Sequence, residues 1–206
     1  SMAGMPLELS KKLVLSLINQ LSDRDQLSIV SFSSEPLVHF SSLEMTSAGK
    51  KKAEHLVKSI QTRPGTNLID GWLQGAECVA RDMEVRSDLQ NRIFVFSDGD
   101  AAKAADSLEW VQRCTHELEL RGLPTTAVGV GDDVSPALLV SIDDRRGDWL
   151  VASDEPSEIA DTLLTEYLDT APLAASDLKI SLTAPANVAV QFLNELGRPP
   201  QLKHGS

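Results

Sequence analysis

Three residues in this chain have the type and placement to do chemistry together. Asp98 closes the apolar run "RIFVFSDGD" (92–100), and Gly99 behind it permits a sharp turn. Thr66 sits in "RPGTN", a tight loop ahead of a stretch with helical spacing. Ser1 heads "SMAGMPLELSKK", directly before a helix entry marked by Pro6. One carboxylate with two hydroxyls is a hard-oxygen set, which suits Mg2+, an ion that takes few protein ligands and keeps several waters. Singly, each feature is ordinary. "SDG" after a strand is a common turn, and "GTN" before a helix is commonly an N-cap. They become one site only if the fold brings strand ends to a common edge.

The surrounding periodicity predicts such a fold. Residues 7–21 place apolar side chains at helical spacing, 27–32 form a compact β run, and 35–40 read as its hairpin neighbour, with Pro36 pointing to an edge position. Thr46 or Ser47 caps a helix through about residue 60, whose Lys50, Lys51 and Lys52 read as a solvated face. A helix follows at 68–82, then a strand at 92–96. The next helix, 104–121, ends at Gly122, and a strand follows at 124–130. A shorter helix begins near Ser135, 148–152 form a strand, and Pro156 starts a helix to about 170.

Strands alternating with helices imply a doubly wound α/β fold, a mainly parallel sheet covered on both faces. Strands 27–32, 92–96, 124–130 and 148–152 should run parallel, with 35–40 antiparallel at one edge, because only 27–40 has a hairpin-sized turn. Ligands of such sheets bind beyond the carboxyl ends of the strands. Thr66 and Asp98 should therefore meet there, within about 10 Å, close enough to share one hydrated cation. The domain is assigned to 1–170, a linker to 171–176, and the start of an incomplete β-rich segment to 177–206.

Composition narrows the function. A formal charge of −11 argues against nucleic acid as a partner, since phosphate binding needs a basic surface. No apolar stretch approaches the ~20 residues of a membrane span. Cys78 and Cys114 fall inside helical patterns, make neither a disulfide framework nor a zinc site, and are expected as buried, reduced thiols.

The ordered set "SMAGMPLELSKK", "RDQLSIVSFSS", "GTNLIDGW", "IFVFSDGD" and "TTAVGVGDD" resembles a von Willebrand factor type A (vWA) domain from residue 1 to about 170. The resemblance implies a Rossmann-like fold and a metal-ion-dependent adhesion site (MIDAS). That site comprises an Asp-x-Ser-x-Ser motif after the first strand, a loop Thr and a later strand-end Asp. Ser1 matches the last Ser of the motif, Thr66 the loop Thr and Asp98 the Asp. The motif's first Asp and first Ser, and the strand before them, are expected to be missing from this chain. In the family that strand lies between those at 27–32 and 92–96. Their absence should leave an apolar slot or a wrong closure, with weak cation binding.

The nearest look is to members in bacterial proteins, inter-alpha-trypsin inhibitor heavy chains and some plant RING ubiquitin ligases rather than integrins. It does not choose among these hosts, and it leans the expected compartment slightly towards the cytoplasm. What it implies is a module that binds Mg2+, or Mn2+ or Ca2+, and through it a protein partner offering an acidic side chain. Two rivals stand beside it. One is a vWA scaffold with a non-functional metal site; the other, a Mg2+-dependent phosphotransfer enzyme, lacks a visible nucleophile–base pair or phosphate loop.

The remaining candidates carry less. His39, His55, His116 and His204 share no spacing with each other or with the cysteines. "CTHELEL" lacks the second His of a zinc-protease pattern, and "GVG" lacks dinucleotide-fingerprint spacing. Asp100 reads as a turn acid, Asp132 and Asp133 receive no ligand role, and Asp143, Asp144, Arg145 and Arg146 read as a charged loop.

Overall fold

A computed structural model of the chain describes residues 4–83, 90–98, 108–131, 136–143 and 150–152, and then 159, 161–163 and 165. The chain divides into two compact units, Ser1–Pro172 and Leu173–Ser206. The proposed linker and β-rich segment lie outside the described residues, as do Ser1, Asp100, Asp132, Asp133 and Asp144–Arg146.

Helix α1 (Met5–Gln20) begins after Gly4, with Pro6 in its first turn. Strands β1 (Gln26–Phe32) and β2 (Pro36–Glu44) form an antiparallel hairpin in which β2 runs longer than its sequence pattern predicts. Helix α2 (Ser47–Ser59) is capped by Thr46, whose hydroxyl accepts the Gly49 N–H at 3.2 Å. A Cβ at Gly49 would meet the Glu44 carbonyl oxygen at 1.9 Å, so this turn admits only glycine. Lys50 donates to the Asn19 carbonyl at 2.9 Å and Lys52 lies over the Phe40 ring, so the expected lysine face partly ties α2 to its neighbours.

Helix α3 (Leu68–Met83) leads towards β3 (Ile93–Ser97), and α4 (Leu108–Leu120) towards β4 (Thr125–Val130). Beyond α4, Gly122 takes φ +79°, and the Leu123 N–H reaches the Leu118 carbonyl at 2.9 Å while Leu123 is buried. This is a Schellman stop, as Gly122 predicts. Helix α5 (Pro136–Ile142) and strand β5 (Leu150–Ala152) complete the order.

β3, β4 and β5 are parallel, with β4 in the middle. Every residue of β4 is buried. Ala127 faces a core shared with α3, α4 and α5, whereas Val128 and Val130 face a second core with Leu13 of α1, Ile159 and Leu163. Helices therefore cover both faces, as a doubly wound sheet requires. Both cysteines are free; Cys78 is buried, while Cys114 is only half-buried against the first core.

One expectation needs correction. β1 does not join a single sheet with β3, β4 and β5: among the described residues β1 pairs only with β2, giving a two-stranded and a three-stranded sheet. Between β1 and β3 lies a cavity of about 500 Å³, walled by Ile29 and Phe32 on one side and Ile93 and Val95 on the other. α1 (Val14, Leu17) and α3 (Gly71, Gly75) also line it. All seven residues of β1 are only half-buried, although "LSIVSF" is as apolar as the buried β4. The cavity separates β1 from β3, and among the described residues the two strands are not paired.

An apolar strand would fit such a slot, since the edges of β1 and β3 offer N–H and C=O groups and Ile29, Phe32, Ile93 and Val95 offer apolar walls. Appending one ahead of α1 should raise the melting temperature, because each backbone bond gained contributes about 1 kcal/mol. Equal midpoints for the two chains would show that the cavity is not a strand position.

Candidate functional site

Thr66 lies in the loop 61–67, which is fastened to the carboxyl end of β1. The Ser34 N–H donates to the Pro64 carbonyl at 3.2 Å, and the Asn67 N–H to the Ser33 carbonyl at 2.6 Å. Gly65 between them takes φ +93°, and a Cβ there would stand 2.6 Å from the Ser34 nitrogen. Only glycine meets both conditions, so the "PG" ahead of Thr66 is a conformational requirement. The loop then enters α3 with Asn67 accepting the Asp70 N–H through its side chain at 3.3 Å. This leaves Thr66 half-buried and free of the capping role its sequence context suggested.

Asp98 follows β3 directly and is 7% exposed. Thr66 and Phe96, two residues before Asp98, line the same cavity. Each candidate thus stands at or beside the carboxyl end of a strand. The donors are hard oxygens, one hydroxyl and one carboxylate, and fit a cation that keeps much of its water. Among the described residues no group of three or more His, Cys, Asp or Glu is arranged to hold a metal, so a zinc–thiolate or poly-carboxylate cage is not built there.

Two polar clusters were missed by sequence reading. Asp143, expected in a charged loop, is buried and accepts the Ala127 N–H at 2.7 Å. It supplies an acceptor to β4 one residue before Val128, where pairing with β5 begins among the described residues. No sequence signal separates it from Asp144. The second cluster joins Ser31, His39 and Arg63: Ser31 Oγ is 2.8 Å from His39 Nε2, and Arg63 donates to the same Oγ at 3.2 Å. His39 has a weak signal in retrospect, since hairpin pairing places it near Ser31.

A doubly wound sheet with a hydroxyl loop and a buried acid at its strand ends defines an α/β domain with a candidate cation site at the carboxyl edge. The chain matches the family described as von Willebrand factor type A domain over residues 1–163, and it belongs to that family. It is similar to the inter-alpha-trypsin inhibitor heavy chain H3 of Rattus norvegicus, 26% identical over 146 residues, covering 69% of this chain and 16% of that protein. The chain spans less than a fifth of the length of the curated relatives it matches.

Solved structures share the fold. An aerotolerance-related membrane protein from Bacteroides fragilis, carrying multiple mutations to serines, superposes with TM-score 0.63 at 15% identity over 79% of this chain and 88% of that one. Proximal thread matrix protein 1 from the mussel byssus, solved with zinc in its MIDAS motif, gives 0.61 at 17% identity over 78% and 40%. Among the described residues no helix is long and apolar enough to cross a membrane.

Gly65→Ala should destabilise the domain by about 1–3 kcal/mol, because it combines left-handed strain with a backbone clash. Urea unfolding of the variant against the parent chain reads this directly, and an unchanged midpoint would mean that the loop relaxes freely.

Proposed function

We propose that this domain is a divalent-cation-dependent protein-binding module. In this reading Thr66 and Asp98, with Ser1 as a further oxygen ligand, hold a hydrated Mg2+, Mn2+ or Ca2+, and a carboxylate of the partner protein completes the shell. The observation that carries it is the placement of Thr66 and Asp98 by strand β1, through its fastened loop, and by strand β3. Thr66 contributes a neutral oxygen and Asp98 a charge. A shell with so few protein anions leaves the cation electrophilic, so an incoming carboxylate gains a charge-assisted contact. The mussel protein with zinc in its MIDAS motif supports this reading by analogy. No acyl-transfer or phosphotransfer chemistry is assigned to the domain.

Calorimetric titration of the chain with Mg2+ and Mn2+ should give saturable binding, weakened at least about tenfold by Thr66→Ala and by Asp98→Asn, as is usual for groups that support a metal. A carboxylate-bearing protein partner should then bind only with cation present and be released by EDTA. Saturable binding that survives both substitutions would place the cation elsewhere. No binding at all would leave the domain as a scaffold.

A further inference from the structure

We propose that His39, acting through Ser31 and Arg63, positions the loop carrying Thr66 and loosens it on protonation, so that a cation held there is released as the pH falls. The proposal rests on the reading of Thr66 as a cation ligand. Its basis is a relay across three elements. His39 stands on β2, Ser31 on β1 and Arg63 in the loop three residues before Thr66. Arg63 Nη2 donates to Ser31 Oγ at 3.2 Å and lies 3.5 Å from the Ser31 carbonyl oxygen, while Ser31 Oγ lies 2.8 Å from His39 Nε2.

With Nε2 unprotonated, the relay has one consistent direction: Arg63 donates to Ser31, and the Ser31 hydroxyl donates to His39. Protonation turns Nε2 into a donor. Ser31 Oγ then receives two donors, and two cations face each other across one hydroxyl. Partial burial, and next the charge of Arg63, lower the His39 pKa below the ordinary value. The other two fastenings of the loop, at Pro64 and Asn67, are backbone bonds without a titratable group. Arg63 is therefore the fastening that pH can reach. Lys52 of α2 lies over the ring of Phe40, the residue after His39 on β2, 5.0 Å from its centroid, and Arg63 is the cation that acts on the imidazole.

The sign follows from the lowered value. A folded-state pKa below the unfolded one, about 6.5, means that the unfolded chain binds the proton more tightly. The stability from neutral His39 is complete above about pH 6.5 and declines as the pH falls from there through the folded-state value.

The test follows the His39 imidazole and the Gly65, Thr66 and Asn67 amides by NMR between about pH 5 and 8. The amides should shift with the midpoint of the imidazole, and His39→Gln should abolish that shared transition. Mn2+ affinity, measured by calorimetry on the same chain, should fall between about pH 7.5 and 5.5 by at least about fivefold more in the parent than in His39→Gln. Any pH effect that does not pass through His39 is common to both chains and cancels in that comparison. Loop amides that ignore the His39 titration would overturn the relay, and parallel losses of affinity in both chains would overturn its link to the cation. If neither chain binds Mn2+ at any pH, the cation reading of Thr66 fails with that link, while the amide titration still decides whether His39 positions the loop.

Discussion

Two adjacent residues of α3, Gly71 and Trp72, join the two sheets. A Cβ at Gly71 would stand 2.6 Å from the Phe32 side chain, so α3 reaches β1 this closely only because the residue is glycine. Trp72 is buried and donates its indole N–H to Thr125 Oγ1 on β4 at 3.0 Å. One turn of helix therefore touches the hairpin with one residue and the parallel sheet with the next. Because β1 and β3 are not paired with each other, this contact does work that a sheet usually leaves to its backbone hydrogen bonds. Both positions are also sensitive to size. A methyl at Gly71 overpacks the contact, and a smaller ring at Trp72 leaves a void beside a buried hydroxyl.

The contrast between β4 and β1 shows what a strand neighbour contributes. β4 has partners on both edges and helices on both faces, and all its residues are buried. One residue before Val128, the first described partner of β5, Asp143 supplies an acceptor to the Ala127 N–H, since a buried N–H left without one costs about 1–3 kcal/mol. β1 has a similar composition and a helix on each side, yet none of its residues is buried. Hydrophobicity was not what it lacked. Burial of a strand depends on its lateral neighbour as much as on the layers above and below.

This explains which features were legible in the sequence. Gly122, Thr46 and Pro6 act within a few residues of themselves, so their stop, cap and entry roles could be read locally. The alternation of apolar strands with amphipathic helices likewise carried the fold class, and strand ends carried Thr66 and Asp98 as candidates. Sheet division was not legible from periodicity, which suggested one continuous sheet where β1 and β2 stand apart from β3, β4 and β5. Asp143 and the Ser31–His39–Arg63 relay were not legible because their partners lie 16 or more residues away, or across a hairpin whose bulges shift the register. A charged residue in a loop has the same local pattern whether it is solvated or caps a strand.

The same geometry bears on the candidate cation site. Thr66 is fastened to the hairpin through Ser33, Ser34 and Ser31, whereas Asp98 is continuous with β3 and the parallel sheet. The two oxygens thus belong to different sheets, and their separation is set by whatever fixes one sheet against the other. Metal–oxygen contacts of ~2.1 Å tolerate little drift, so small relative motion of the sheets is enough to weaken a shared cation. α3 limits that motion from one face at Gly71 and Trp72. A strand seated in the slot would limit it from within the sheet, by hydrogen bonds to both edges at once. Under the proposed reading, stability and cation affinity are coupled through one element of geometry, and a change that stiffens the β1–β3 junction should act on both.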